Sequence, residues 1–147
     1  MLGAGFILFL FSGPVAACNE NLPSTTIAIK GNFLNVEMAF TPSTRACGLS
    51  HRSSLPEHHG MLFIYPNQRA VSFWMKDTKI PLSIAFIDDT GRILSIQNMV
   101  PMQIEERYRS PRPVRYVLEV NRGWFAGHNI AVGDVVDFKI PAILNIR

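Results

Sequence analysis

Apolar and polar residues alternate from Thr25 to Lys30 and again from Phe33 to Phe40, where Leu34, Val36 and Met38 share one face. A period of two predicts strands, and Gly31-Asn32 between them predicts a hairpin turn. Thr41-Pro42 supplies an N-cap followed by proline at the first helical position, so Ser43 to Leu49 reads as a short helix. Ser50 to Gly60 is polar and irregular. Met61 to Tyr65, Val71 to Met75 and Leu82 to Ile87 are apolar runs of strand length, the last closed by the turn signal Asp88-Asp89-Thr90-Gly91. Arg92 to Met99 alternates, with Ile93 and Ile96 both inward only after a register slip. Pro101 to Pro113 reads as a long loop, Val114 to Val120 as a strand, Gly123 to His128 as one helical turn, and Val135 to Ile140 as a final strand. About eight short strands with one or two short helices predict an α+β, mostly β class: a single compact barrel-like or sandwich-like domain. There is no internal repeat and no strand–helix alternation of the nucleotide-binding kind.

Residues 1–17 stand apart from this pattern. They carry no charged side chain, and Leu2 to Phe11 is an apolar run of ten residues. As a helix it reaches about 15 Å, roughly half a hydrocarbon core. Gly13-Pro14 ends it, and the small residues Val15, Ala16 and Ala17 follow. This is the layout of a secretory signal peptide, which places the mature domain at 18–147 and the protein in the periplasm or cell envelope. Val15-Ala16-Ala17-Cys18 also resembles a bacterial lipoprotein signal, which would anchor the chain to the membrane through a lipid on Cys18. The competing reading is ordinary secretion followed by a disulfide between Cys18 and Cys47, the chain's two cysteines. Cys18 can serve only one of these roles. A third reading makes Cys47 a nucleophile with His51 one helical turn on.

The 147 residues are 48% hydrophobic, enough for one domain with a core and too few for two ordinary ones. Fourteen Lys and Arg against eleven Asp and Glu give a net charge of +3, too mild for a nucleic-acid binder. The phosphate-loop, dinucleotide, nucleophile-elbow and zinc-protease signatures are absent. His58 and His59 follow Glu57 in a polar segment, but adjacent side chains alternate along an extended chain, so a solvated loop is expected there, with no metal and no cofactor. Arg107, Arg109, Arg112 and Arg115 outnumber Glu105 and Glu106 by two charges. The plain reading is a solvated loop with pairs inside it; the alternative, in an exported protein, is a patch that meets an anionic lipid or a glycan.

Phe73 to Leu82 is the most unusual segment. On a strand, Phe73 and Met75 point to the core while Trp74 and Lys76 share the opposite face, followed by Asp77 and Thr78 in a bend. An aromatic platform beside a cation, a carboxylate and a hydroxyl can hold a small polar ligand.

Arg45-Ala46-Cys47-Gly48-Leu49 with Arg52, then Leu55-Pro56, Gly60-Met61-Leu62-Phe63, Phe73-Trp74-Met75-Lys76-Asp77-Thr78 and Ile80-Pro81-Leu82 form an ordered string. With Val117-Leu118-Glu119 and the Gly133-Asp134 turn, it resembles the bacterial and archaeal "domain of unknown function 192" family over about Ile27 to Phe138. The resemblance implies a small β-rich, barrel-like domain, often exported, with no established activity and no mechanism. This chain departs from the family in having Ser50 in place of Met, Asp77 in place of Asn, and Ser83 in place of Asp.

The function expected is that of a non-enzymatic ligand-binding or accessory domain of the cell envelope. Its candidate site is Arg45, Trp74, Lys76, Asp77, Thr78 and Glu119. The rival is an envelope glycan hydrolase or transferase using Asp77 and Glu119 as a carboxylate pair about 5–10 Å apart. A third reading is purely structural, with a sealed Arg45–Glu119 pair fixing the barrel.

Overall fold

The computed structural model describes Cys18 and residues 21–147; the signal peptide read at 1–17 lies outside the described residues. Strands β1 (Ser24–Ile29) and β2 (Asn32–Ala39) form the first hairpin. Its turn is Lys30-Gly31, with φ of 50° and 78°, one residue earlier than the sequence signal. Helix α1 (Pro42–Cys47) follows. Thr41 Oγ1 accepts from the Thr44 N–H, and Thr44 Oγ1 accepts from the Thr41 N–H, a reciprocal cap in which threonine replaces the usual glutamate. The helix stops two residues short of Leu49 because Gly48, at φ 50°, leaves helical conformation beside the Phe63 ring.

The remaining elements are β3 (His59–Arg69), β4 (Ser72–Phe73), β5 (Leu82–Ile87), β6 (Ile93–Met99), β7 (Tyr108–Arg109), β8 (Val114–Asn121), α2 (Trp124–Gly127) and β9 (Val136–Asp137). Seven strands form one sheet in the order β6-β5-β8-β3-β2-β1-β9, and β4 pairs with β7 as a separate ribbon. Every pairing is antiparallel except β2–β3. The sheet curls until its edges meet: Arg92 bridges Val135, the Ile93 N–H donates to Asp134, and the Val136 N–H donates to Gly91. The mostly β, barrel-like class is therefore the observed one.

Two buried layers explain the sequence pattern. Inside the curl, Ile29, Val36, Leu62, Leu118, Val120 and Phe125 belong to one cluster. Outside it, Met61, Phe63, Ile84, Phe86 and Val117 form a second cluster, covered by Leu49 after α1, Met75 after β4 and Tyr108 of β7. Strands β3, β5 and β8 are thus buried on both faces, which is why they read as unbroken apolar runs. The β5–β6 register shifts between Phe86 and Ile87, so that Ala85 faces Ile96 while Ile87 faces Ile93. That is the slip that turns both isoleucines toward the core.

Three expectations are corrected. Strand β3 begins at His59, inside the segment read as irregular, because His59 and Gly60 pair in parallel with Asn35 and Val36. The strand read at Val71 to Met75 shrinks to Ser72-Phe73, and its partner Tyr108-Arg109 lies within the segment read as a loop. The final strand is only Val136-Asp137.

Candidate functional site

Glu119 lies on the central strand β8, opposite Met61 of β3 and Ile84 of β5. Residues of period two share a face. Glu119 therefore points with Val117 into the outer apolar layer, and only 5% of it is exposed. Its carboxyl makes no hydrogen bond or ion pair among the described residues. No side-chain polar atom there is both sealed and unpaired, so the carboxyl is reached from a cavity. Burial alone pushes its pKa from 4.5 to about 8, leaving it a neutral acid at pH 7.

That cavity, about 440 Å³, is bounded by α1, the β3 segment around Tyr65, and the Ser72 to Thr78 segment. It falls within the size range of small-molecule sites. All six residues selected from the sequence line it: Arg45, Trp74, Lys76, Asp77, Thr78 and Glu119. Their roles differ from those expected of them.

Arg45, in the last turn of α1, donates from Nη1 to the Ile64 carbonyl at 2.9 Å and stacks over Tyr65 at 4.7 Å. Burial pulls its pKa down from the ordinary 12.5 and pushes that of Tyr65 up from 10.0. No Arg45–Glu119 ion pair forms among the described residues, so the sealed pair of the structural reading is not what the barrel contains. Trp74 is 39% exposed, as alternation required, with Met75 fully buried beneath it. Its indole, however, is not a bare stacking face. The Arg107 guanidinium lies over it at 4.0 Å and the Lys76 ammonium at 5.3 Å. Trp74 therefore holds two cations at the cavity mouth.

Asp77 and Thr78 make the bend. Asp77 adopts φ 54°, and its carbonyl accepts the His51 N–H at 2.8 Å. Asn and Asp are the non-glycine residues that tolerate this left-handed conformation best, so Asp77 suits the bend. The Thr78 hydroxyl donates to the Lys76 carbonyl at 3.0 Å, tightening the same turn. Ser83 belongs elsewhere. It points to the other face of β5, donates to Asn98 at 2.7 Å and accepts the Gly123 N–H at 3.0 Å. Position 83 of this chain therefore does not contribute to the cavity.

Cys18 and Cys47 are joined in a disulfide, with Cα atoms 5.4 Å apart, on the cavity wall. A bonded Cys47 has no thiol with which to attack. Arg52, part of the family string, forms a two-pronged ion pair with Glu37 and ties the segment after α1 to β2. The Leu55-Pro56 carbonyls accept from Asn121.

The histidines separate. His51 lines the cavity, His58 accepts from the buried Trp124 indole at 3.4 Å, His59 enters β3, and His128 stacks on Trp124. The four arginines of the long connection also disperse. Arg107 sits at the cavity and Arg109 on β7. Arg112 reaches Asp88 at 3.9 Å, and Arg115 donates to the Tyr65 carbonyl. Sequence reasoning put Arg107 with a surface patch; nothing local in the sequence signals that it folds back over Trp74. Tyr65 was missed for the same reason, whereas His51 had been named only as a partner for Cys47.

The DUF192 family model, described as "Uncharacterized ACR", matches residues 25–138. A proposed transcription regulator from Sinorhizobium meliloti 1021 has a crystal structure similar to this chain at 36% identity and a TM-score of 0.75, covering 79% of this chain and 94% of its own. A protein of unknown function from Novosphingobium aromaticivorans DSM 12444 is similar at 29% identity and a TM-score of 0.78, covering 92% of this chain and all of its own. No curated protein matches the chain.

Proposed function

The chain belongs to the DUF192 family, and from that premise we propose that it is an exported, non-enzymatic domain of the cell envelope that binds a small polar ligand in the Arg45–Trp74–Glu119 cavity. The observation that carries this reading is Glu119, a carboxyl buried in an apolar layer with no partner among the described residues and open to the cavity. Buried polar groups in native proteins are normally paired, and one left free in a cavity is where a ligand supplies the partner. Disulfide bonding of Cys18 agrees with export as a soluble mature chain rather than lipidation at that thiol. The S. meliloti relative's description does not carry over, since a net charge of +3 and the dispersed arginines give no extended basic surface.

A fragment library screened by amide-resonance NMR on the oxidised protein tests the reading. Binders should shift Trp74, Lys76 and Glu119 together. A library of several hundred polar fragments with no binder that shifts these resonances would refute it. Mass spectrometry of protein taken from the native host should show an N-terminus at Cys18 with no lipid; uncleaved Met1 protein in the cytosol would refute export.

A second reading has one observation in its favour. Asp77 and Glu119 line the same cavity, and Glu119 is held protonated as a general acid must be. A glycan hydrolase or transferase would turn over envelope oligosaccharides and lose turnover on Glu119→Gln, whereas a binding domain releases its ligand unchanged.

A further inference from the structure

We infer that the ligand of this cavity is a small hydroxylated organic anion, its carboxylate or phosphate seated between Arg107 and Lys76 at the mouth and a hydroxyl or carbonyl meeting the Glu119 carboxyl on the floor. The inference rests on the binding reading above and specifies its chemistry.

Charge comes first. The groups facing the cavity are Arg45, His51, Tyr65, Lys76, Asp77, Arg107 and Glu119. Three are fixed cations and Asp77 is a fixed anion. With Glu119 and Tyr65 neutral, the described residues give the cavity a surplus of at least two positive charges near pH 7, His51 not counted. A cationic ligand would enter against that surplus, and a neutral one would leave it unmatched.

Geometry comes second. Lys76 and Arg107 come from different segments, and both lie over one indole, Arg107 at 4.0 Å and Lys76 at 5.3 Å. Both residues line the cavity, so an anion bound there would meet two cations that the indole alone stabilises only in part. Among the described residues neither side chain has an acidic partner; Glu37, Asp88 and Asp134 hold the ion pairs found there. Two hydrogen bonds fix the segments against each other, from the Met75 N–H to Gln103 at 3.0 Å and from the Met102 N–H to Thr78 at 3.0 Å. The seat is thus braced by backbone rather than left to two mobile side chains.

The floor selects the other end of the ligand. A neutral carboxyl both donates and accepts, the match for a hydroxyl or carbonyl. An ionised Glu119 would lose its donor and add a negative charge beneath an anionic ligand, so affinity should fall as the pH rises past about 8.

Matched ligands on the full oxidised chain separate the outcomes. Titration calorimetry with glucuronate, glucose 6-phosphate, glucose and glucosamine varies charge on a common ring, and the two anions distinguish carboxylate from phosphate. The anions should bind at least tenfold more tightly than glucose, and glucosamine should bind least. Arg107→Gln and Lys76→Gln should each weaken anion binding about tenfold, the scale of one charge-assisted hydrogen bond, without moving the melting temperature. Glu119→Gln should remove the decline of anion binding above pH 8, and a decline that persists in the variant would overturn the role given to Glu119. Equal binding of glucose or glucosamine, or an Arg107→Gln variant that binds anions normally, would overturn the anion seat while leaving the binding reading standing. If fragments occupy the cavity and both anions fail to bind, the inference alone falls. If the fragments fail as well, both fall.

Discussion

Replacing Glu119 by glutamine keeps the shape of the side chain and removes its charge. In the unfolded chain Glu119 ionises near 4.5, whereas in the fold burial holds its pKa at about 8. Below pH 4.5 both states are protonated and the residue costs the fold nothing electrostatically. As the pH rises above 4.5 the unfolded chain releases a proton that the folded chain keeps. Stability therefore declines until the folded group ionises near 8, and is flat beyond. Each pH unit is worth 1.36 kcal/mol, so the interval corresponds to about 5 kcal/mol at its ceiling and about 3 kcal/mol at pH 7. Glutamine carries no such cost. Urea denaturation of the wild type and Glu119→Gln, both oxidised, should give equal stabilities near pH 4. The variant should gain steadily to pH 8, and the gap should hold constant above it. Taking the difference cancels every other titrating group. A gap independent of pH, or a variant less stable than wild type at pH 8, would mean that Glu119 is ionised in the fold and compensated, and the neutral-floor argument would fail.

Two further perturbations test the architecture around the cavity. Phe73 packs edge-on against Phe63 at 5.0 Å and Phe86 at 6.1 Å, so Phe73→Ala should cost about 3 kcal/mol. The 39%-exposed Trp74 should cost about 1 kcal/mol as alanine, and equal denaturant midpoints for the two variants would make Trp74 part of the core. Reducing the Cys18–Cys47 disulfide, which spans 29 residues, should remove about 3 kcal/mol by freeing the unfolded chain. Alkylation without reductant should label neither thiol, and two labelled cysteines in periplasmic protein would refute the bridge.

What the sequence disclosed was what local rules decide. The β1–β2 hairpin, the Thr41 cap, β5 and β8 were legible because alternation, capping chemistry and apolar run length act within a few residues. The β4–β7 ribbon was not, since each of its strands is two residues long and its partner lies far along the chain. Nor was the parallel β2–β3 pairing that starts β3 at His59, or the second apolar layer laid over β3, β5 and β8 by the long connections. That layer decides the site. Strand parity puts Glu119 on the face of Val117, but parity alone leaves that face in water or opposite Arg45. The fold covers it, turns Arg45 to the Ile64 carbonyl, and brings Arg107 across to Trp74 instead.

A protein maintained for stability alone would have no use for this arrangement. Glutamine or an apolar residue would fill the space opposite Met61 and Ile84 without the pH-dependent cost that glutamate carries there. Natural sequences break local rules of this kind chiefly at sites that act on something. Here the violation sits at the floor of a cavity whose mouth carries two cations held on one indole. On the binding reading proposed above, the acid without a partner among the described residues and the two cations have one explanation. One ligand with an anionic end and a hydrogen-bonding end accounts for both.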